Sequence, residues 1–285
     1  MKGIILAGGA GTRLHPATKA VSKQLLSVYD KPMIYYPLSS LMMAGVREIL
    51  IITTQEHKEL FQNLFGDGSH LGLSIEYKAQ TAPNGIAEAF IIGREFIGND
   101  KVMLILGDNI FFGNRFGEDL SNAVHGEGAT IFCISVTEPN RYGVAVFDRD
   151  DKLLEVIEKP TNWVSNWAIT GLYIFDNSVI SIAESLDPSI RGELEITDVI
   201  AHYMGAGSLS VRRLGRGYAW FDAGTHDSLL DASNFVRTIE CQQGLKIGSP
   251  EEIAYDKGWL SKADLISFLD RQGKSSYYSY LRNKV

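Results

Sequence analysis

Two aspartates occupy the same kind of place in this chain. Asp108 follows the apolar run Val102-Met103-Leu104-Ile105-Leu106 and one glycine, and Asp222 closes Trp220-Phe221 ahead of Ala223-Gly224-Thr225. A carboxylate at the end of a buried strand is a hard oxygen donor. It suits Mg2+, which is usually held by one or two carboxylates together with substrate phosphates. Taken singly, each aspartate could equally cap the segment that follows it. The stretch Gly8-Gly9-Ala10-Gly11-Thr12-Arg13-Leu14 changes the weighing. Glycines let backbone N–H groups approach phosphate oxygens, Arg13 adds a fork of donors, and Lys23 is a second cation nearby. On its own the loop could also be a tight strand-to-helix turn. It lacks the Gly-Lys-Ser/Thr of a Walker A loop, and Leu14 stands where a dinucleotide fingerprint needs glycine. Two strand-end aspartates and this loop together point to a metal–polyphosphate site.

Such a site needs a scaffold that aims strand ends at one place. Ile4 to Ala7, Glu48 to Thr53, Ser74 to Ala79, Lys101 to Leu106 and Ala129 to Val136 read as strands. Helical patterns separate them: Pro32 to Ala44 with a kink at Pro37, a segment ending near Phe65, and Gly85 to Ile97. Continuous apolar strands alternating with helices predict a mostly parallel, Rossmann-like open α/β sheet covered on both faces. After Glu138 the rhythm changes. Segments 143–147, 153–158 and 168–175 predict an antiparallel or mixed extension, 178–186 and 198–204 helices, 208–214 a further strand, and 225–243 the start of a helical C-terminal region. This divides the chain into a core over 1–225, with halves at about 1–137 and 138–225, and a helical region over 226–285.

The 285 residues are 45% apolar and 21% charged, as in ordinary globular proteins. Lys and Arg number 27 against 34 Asp and Glu, a net charge of −7. That balance argues against a nucleic-acid binder or a polybasic membrane module, so an anionic substrate requires locally concentrated cations. Cys133 lies in an apolar run and is expected to pack as a small hydrophobe, so the two cysteines form no framework. With no signal-peptide pattern and no apolar run long enough to cross a bilayer, the expected location is cytoplasmic. The aromatics Trp163, Trp167 and Trp220 are expected to pack rather than stack on ligand, and the tyrosines at 277, 278 and 280 to cover an apolar surface or subunit contact. The six histidines are scattered, and none is given a role.

The motifs fall in a familiar order. Leu6 to Pro16, Ser22-Lys23-Gln24-Leu25, Asp30 to Leu38, Leu106-Gly107-Asp108-Asn109, Arg141-Tyr142-Gly143-Val144, Glu158-Lys159-Pro160, Thr170-Gly171-Leu172-Tyr173, Arg191 to Asp198 and Gly215 to Trp220 span nearly the whole chain. This series resembles the sugar-1-phosphate nucleotidyltransferase family, in a short form without a C-terminal hexapeptide extension. The resemblance implies that glucose 1-phosphate attacks the α-phosphorus of dTTP, giving dTDP-glucose and pyrophosphate at the head of dTDP-L-rhamnose synthesis. It implies a homotetramer and, in some members, a second nucleotide site for feedback.

With this chemistry, Asp108 and Asp222 are expected to hold Mg2+. Arg13, Lys23 and the loop at Gly8, Gly9, Gly11 and Thr12 would neutralise the triphosphate, and Lys159 and Arg191 would bind the sugar phosphate. The resemblance further puts Glu158, Gly143, Asn109, Gly171 and Tyr173 at the sugar, and Leu6, Gln24, Gln80 and Gly85 at the base. For Lys159, Arg191 and Gln80 plainer roles remain open: a polar strand end, a surface ion pair and a solvated loop residue. Two departures from the family pattern stand out: Ile86 and Glu88 where Leu and Gln are common, and Ala223 where Thr is common. Base choice also stays open towards UTP, since one methyl is worth only ~0.8 kcal/mol, about fourfold. A sensor that kept the fold without catalysis is the other alternative.

Overall fold

Isoleucine, leucine and valine fill both faces of the central strands, which is why those strands read as unbroken apolar runs. In the computed structural model, which describes residues 1–9 and 11–285 and leaves Ala10 of the glycine-rich loop outside the described residues, thirteen strands and eleven α-helices form an α/β fold. The strands are β1 (Lys2–Leu6), β2 (Ser27–Val28), β3 (Lys31–Pro32), β4 (Glu48–Thr53), β5 (Ser74–Ala79), β6 (Val102–Leu106), β7 (Asn109–Gly113), β8 (Ala129–Ser135), β9 (Gly143–Phe147), β10 (Leu153–Glu158), β11 (Trp167–Phe175), β12 (Leu209–Leu214) and β13 (Tyr218–Asp222). The helices are α1 (Tyr35–Met43), α2 (Lys58–Phe65), α3 (Glu88–Ile92), α4 (Arg94–Ile97), α5 (Phe116–Ala123), α6 (Val179–Ser185), α7 (Ile196–Gly205), α8 (His226–Gln243), α9 (Pro250–Asp256), α10 (Lys262–Asp270) and α11 (Ser276–Lys284).

A parallel block in the order β5-β4-β1-β6 forms one half of the main sheet. The chain goes outward from β1 through β4 to β5, then returns to the other side of β1 as β6. That reversal is a topological switch point, where a crevice opens beyond the carboxyl ends of the strands. The ends of β1 and β6 flank it and lead into the glycine-rich loop and Asp108. The nine-residue β11 continues the sheet, antiparallel to β6 and β9 along one edge and to β8 along the other, with β10 and β12 outside these. The expected open α/β sheet with a mixed extension is what the chain forms.

Alternate side chains serve two cores. Ile5, Ile51, Met103 and Ile105 face α1, α2 and α5. Ile4, Leu50, Ile52 and Leu104 face α3, α4, α6 and α7. Cys133 is buried in the second core, and burial pushes its thiol up to about 12, so it packs as expected. Among the described residues, no helix is long and apolar enough to cross a membrane.

Three local readings change. Pro32 does not open a helix; it lies in β3, paired with β2, and α1 begins at Tyr35. Pro37 falls in the first turn of α1, where its missing N–H has no helical acceptor to lose, so no kink is required there. The helix expected over 85–97 is two short ones, α3 and α4, meeting at Gly93. The third change concerns the site: residues 109–113 and 218–222 pair as a separate antiparallel ribbon, β7 with β13. That ribbon packs with α8 around Ile110, Ala223, Ala232 and Val236.

Candidate active site

Asn109 pairs with Asp222 across the β7–β13 ribbon, and the Asp108 carbonyl accepts from the Ala223 N–H at 3.0 Å. The two aspartates, distant in sequence, thereby open onto one cavity of about 260 Å3. Neither caps a helix. Asp108 precedes a strand, and α8 is capped by Thr225, whose side chain accepts from the Ser228 N–H.

Their carboxyls are tuned apart. Burial pushes Asp222 up to about 6, helped by the charge of Asp108 and opposed by Lys23, Arg13 and Arg141. Burial acts the same way on Asp108, but the Lys23 ammonium paired with it and the Asn109 amide (3.0 Å) hold it below the usual carboxylate range. Two acidic groups that repel each other in one cleft form an all-oxygen donor set. That chemistry fits a hard divalent cation. Among the described residues no cluster of three or more His, Cys, Asp or Glu is arranged for a metal, so these two carboxylates would be the protein's share.

The same cavity is lined by Arg13, Asn109, Gly143, Glu158, Lys159, Gly171 and Tyr173 from the sequence reading. Lys159 has a left-handed backbone at φ 41°, unusual outside glycine, and its ammonium stands 3.5 Å from Glu158. Asn109 is heavily committed. Its Oδ1 accepts from the Gly171 N–H (2.9 Å) and from Trp220 Nε1 (2.7 Å), while its Nδ2 donates to Asp108. Arg191 is set behind Glu158 rather than in the cavity wall, its guanidinium shared among Glu193 (2.9 Å), Glu195 (2.8 Å) and Glu158 (3.5 Å).

Gly9 and Gln80 belong to a second cavity, of about 500 Å3, also lined by His15, Thr18 and Pro83. Gly9 thus faces this second cavity, while Arg13 faces the first. Leu6 ends β1, and its carbonyl accepts from the Gly107 N–H (2.9 Å). Gly11 begins the short turn Thr12–Leu14, and the Thr18 hydroxyl donates to the Gly11 carbonyl at 2.8 Å. Gln24 is buried beneath the site, its Oε1 accepting from the Ser22 hydroxyl at 2.6 Å. Gly85 meets a different segment. With φ 106°, it lies so close to Leu194 that a Cβ would stand 2.3 Å from that carbonyl oxygen. Backbone bonds from Leu194 N to Asn84 O (2.7 Å) and from Ala87 N to Leu194 O (3.2 Å) clasp the two segments there.

Sequence reasoning missed several cavity residues, among them Trp220, Arg141 and Thr197. Trp220 was expected to pack, yet it lines the cavity, with its ring 4.9 Å from that of Tyr142. Arg141 and Thr197 also line it, and the buried Thr197 hydroxyl has no hydrogen-bond partner. Both sit inside motif blocks, which was the available signal. Trp163 does not pack: it is 72% exposed, held by a bond from its Nε1 to Asn166 (2.7 Å). Trp167 does pack, edge-on to Phe147.

The chain is similar to known proteins in sequence and fold. Residues 2–239 match the family described as nucleotidyl transferase. A glucose-1-phosphate thymidylyltransferase of Neisseria meningitidis is 54% identical over 99% of this chain and 98% of its own length. One from Mycolicibacterium smegmatis is also 54% identical, over 99% and 98%. Among solved structures, one described as a glucose-1-phosphate thymidylyltransferase from Bacillus anthracis in complex with sucrose superposes with a TM-score of 0.77 at 41% identity, covering 83% of this chain and 95% of that one. A UDP-glucose pyrophosphorylase complexed with UDP-glucose shares the fold, with a TM-score of 0.74 at 23% identity over 83% of this chain and 98% of that one. The chain belongs to the nucleotidyl transferase family, with glucose-1-phosphate thymidylyltransferases among its near relatives.

Proposed function

We propose that the chain transfers a thymidylyl group from dTTP to glucose 1-phosphate. A phosphate oxygen of the sugar phosphate forms a bond to the α-phosphorus. The bond from that phosphorus to the oxygen bridging towards the β-phosphate breaks, and its electron pair leaves with pyrophosphate. The nucleophile is already anionic, so no general base is required, and catalysis is largely positioning and charge stabilisation. The observation that carries this reading is the convergence of Asp108 and Asp222 with Arg13 and Lys159 on one cavity at the switch point of the sheet.

Asp108 and Asp222 would hold Mg2+, which when bound neutralises phosphate charge. Arg13, Lys23 and the amides of Gly8, Gly9, Gly11 and Thr12 take the triphosphate. Lys159 takes the sugar phosphate, with Arg191 behind it orienting Glu158. Glu158, the free Thr197 hydroxyl and the backbone at Gly143 and Gly171 hold sugar hydroxyls, while Asn109 and Tyr173 shape the wall. Gln80, on the second cavity, takes the base together with Gln24, Gly85 and Leu6, none of which lines that cavity. Residues 1–137 thus serve the nucleotide, 138–225 the sugar phosphate, and 226–285 brace the core. The family resemblance implies a homotetramer and a place at the head of dTDP-L-rhamnose synthesis, and two unpaired cysteines accord with a cytoplasmic location.

Release of pyrophosphate from dTTP, glucose 1-phosphate and Mg2+ tests the reading, with loss of release on chelation of the metal. Asp108→Asn, Asp222→Asn and Lys159→Ala are each expected to lower turnover by about 100-fold or more. Near-normal rates in these variants at saturating Mg2+ would overturn the assignment. UTP is expected to be a slower substrate by roughly 10- to 200-fold, the range over which a missing methyl-sized group is discriminated.

A further inference from the structure

Gly224 lies in the short link between β13 and α8, just beyond Asp222. It is not among the glycines with positive φ, so its backbone is one that alanine adopts without strain. What the missing side chain leaves is room. A Cβ built on Gly224 would stand 2.8 Å from Arg13 Nη2, 3.3 Å from Arg13 Cζ and 3.0 Å from Asp222 Oδ1. Ordinary non-bonded contacts lie at about 3.5–4.0 Å, so the guanidinium occupies space that a methyl group would need. The backbone is held on both sides of this gap. The Ala223 N–H donates to the Asp108 carbonyl at 3.0 Å, and the Thr225 N–H donates to Ser228 Oγ at 3.0 Å in the capping box of α8. Asp222 is fixed as well, paired with Asn109 across the ribbon. Arg13 is long and exposed, and it is the group that would move.

We propose that Gly224 is a positioning residue for Arg13. By carrying no side chain it lets the guanidinium lie in beside Asp222, so that this cation and one carboxylate of the candidate metal site face the same part of the cavity. This rests on the proposed roles of those two residues. A guanidinium is a planar fork that takes phosphate oxygens two at a time, so its place and tilt matter as well as its charge. Here the fork comes from the turn after the glycine-rich loop, and the carboxylate from the end of the ribbon. A methyl group at residue 224 would push the fork outward by about 1 Å, and a misplacement of that size can cost about 100-fold in rate. The charge would stay at the mouth of the cavity. The triphosphate would still be drawn in, but held out of line with the acids.

The test pairs Gly224→Ala with changes at Arg13 in the full-length protein. Calorimetric titration of dTTP in chelator reads the guanidinium without metal, and pyrophosphate release with Mg2+ reads turnover. Gly224→Ala is expected to keep the parent's urea midpoint, to weaken dTTP binding in chelator by about threefold to tenfold and to lower turnover by about 10- to 100-fold. Affinity for glucose 1-phosphate should stay within about twofold of the parent's. Arg13→Lys ends in a compact ammonium with no fork to meet the methyl group. Adding Gly224→Ala to it, or to Arg13→Ala, should change dTTP affinity by less than about twofold further. An effect of Gly224→Ala of the same size in every Arg13 background would overturn the proposal, since the methyl group would then act through Asp222 or the backbone. So would dTTP affinity within about twofold of the parent in Gly224→Ala itself. If Gly224→Ala fails to fold, the pair with Arg13→Ala decides: restored folding supports the clash, and failure of both overturns it. A protein that shows this dependence in chelator but releases no pyrophosphate with glucose 1-phosphate would instead refute the proposed activity and leave this inference standing.

Discussion

Asp222 carries a charge that the folded chain holds with difficulty. Burial and the neighbouring Asp108 both favour its protonated form, and its carboxyl is pushed up to about 6. Unfolding releases it to the ordinary range near 4, so the unfolded chain binds fewer protons between these values and stability falls as pH rises through them. Asp222→Asn, neutral at every pH, is therefore expected to stabilise the metal-free protein at pH 7 by up to about 2 kcal/mol. Thermal melts in chelator at pH 7 and pH 3 check this; the gain should fade as pH drops below 4 and be nearly gone at pH 3, where the parent residue is largely protonated in both states. Stability and turnover would then move in opposite directions for one substitution. At this scale the sequence was informative where residue type and place in the chain were enough, as for Asp108, Asp222 and Arg13. It gave Trp220 only a packing role and was silent on Thr197. Their roles depend on which wall they share with Asn109 and Gly143, and that is set by contacts between distant segments. Gln80 and Glu88 were each noticed separately, but the 2.6 Å hydrogen bond from Gln80 Nε2 to Glu88 was not legible.

Elements held by local chemistry were the easier ones to read. The buried parallel strands announce themselves as short β-branched runs, and α8 begins where Thr225 supplies its cap, with Ser228 returning the bond to the Thr225 N–H at 3.0 Å. Thr225→Ala removes that cap and is expected to lower stability by about 1 kcal/mol. Urea unfolding measures it, with an unchanged slope if only the helix end is affected. The ribbon β7–β13 escaped notice for the opposite reason. Each strand is five residues long, and each finds its partner far away in the chain, so no local pattern announces either. The Leu194 clasp on the Gly85 segment is of the same kind: a backbone contact between loops, invisible to periodicity.

Across the whole molecule, four charged side chains tie the two ends of the chain together. Lys31, only 2% exposed, pairs with Asp30 (2.6 Å) and with Glu240 of α8 (3.0 Å), while Lys246 bridges the same two carboxylates. The Lys31 ammonium also lies over the rings of Tyr36 (5.0 Å) and Tyr277 (5.6 Å), the latter from α11. Tyr277 covers an apolar surface with Leu265, Leu269 and Leu281, as its clustering with other tyrosines suggested. Removing one member of a buried ion cluster leaves uncompensated charge, so Lys31→Met is expected to lower stability by about 3–5 kcal/mol. Chemical denaturation reads this directly, and faster proteolysis of the last helices would accompany it. The ribbon has a consequence of its own. Because β7 and β13 pair with Asn109 opposite Asp222, a slip of a single residue would turn the second acid to the opposite face. One inserted residue between Tyr218 and Phe221 would thus silence the enzyme while deleting no group from the pocket. The reaction centre is in this sense a matter of alignment, set by the register of the last strand against one more than a hundred residues before it.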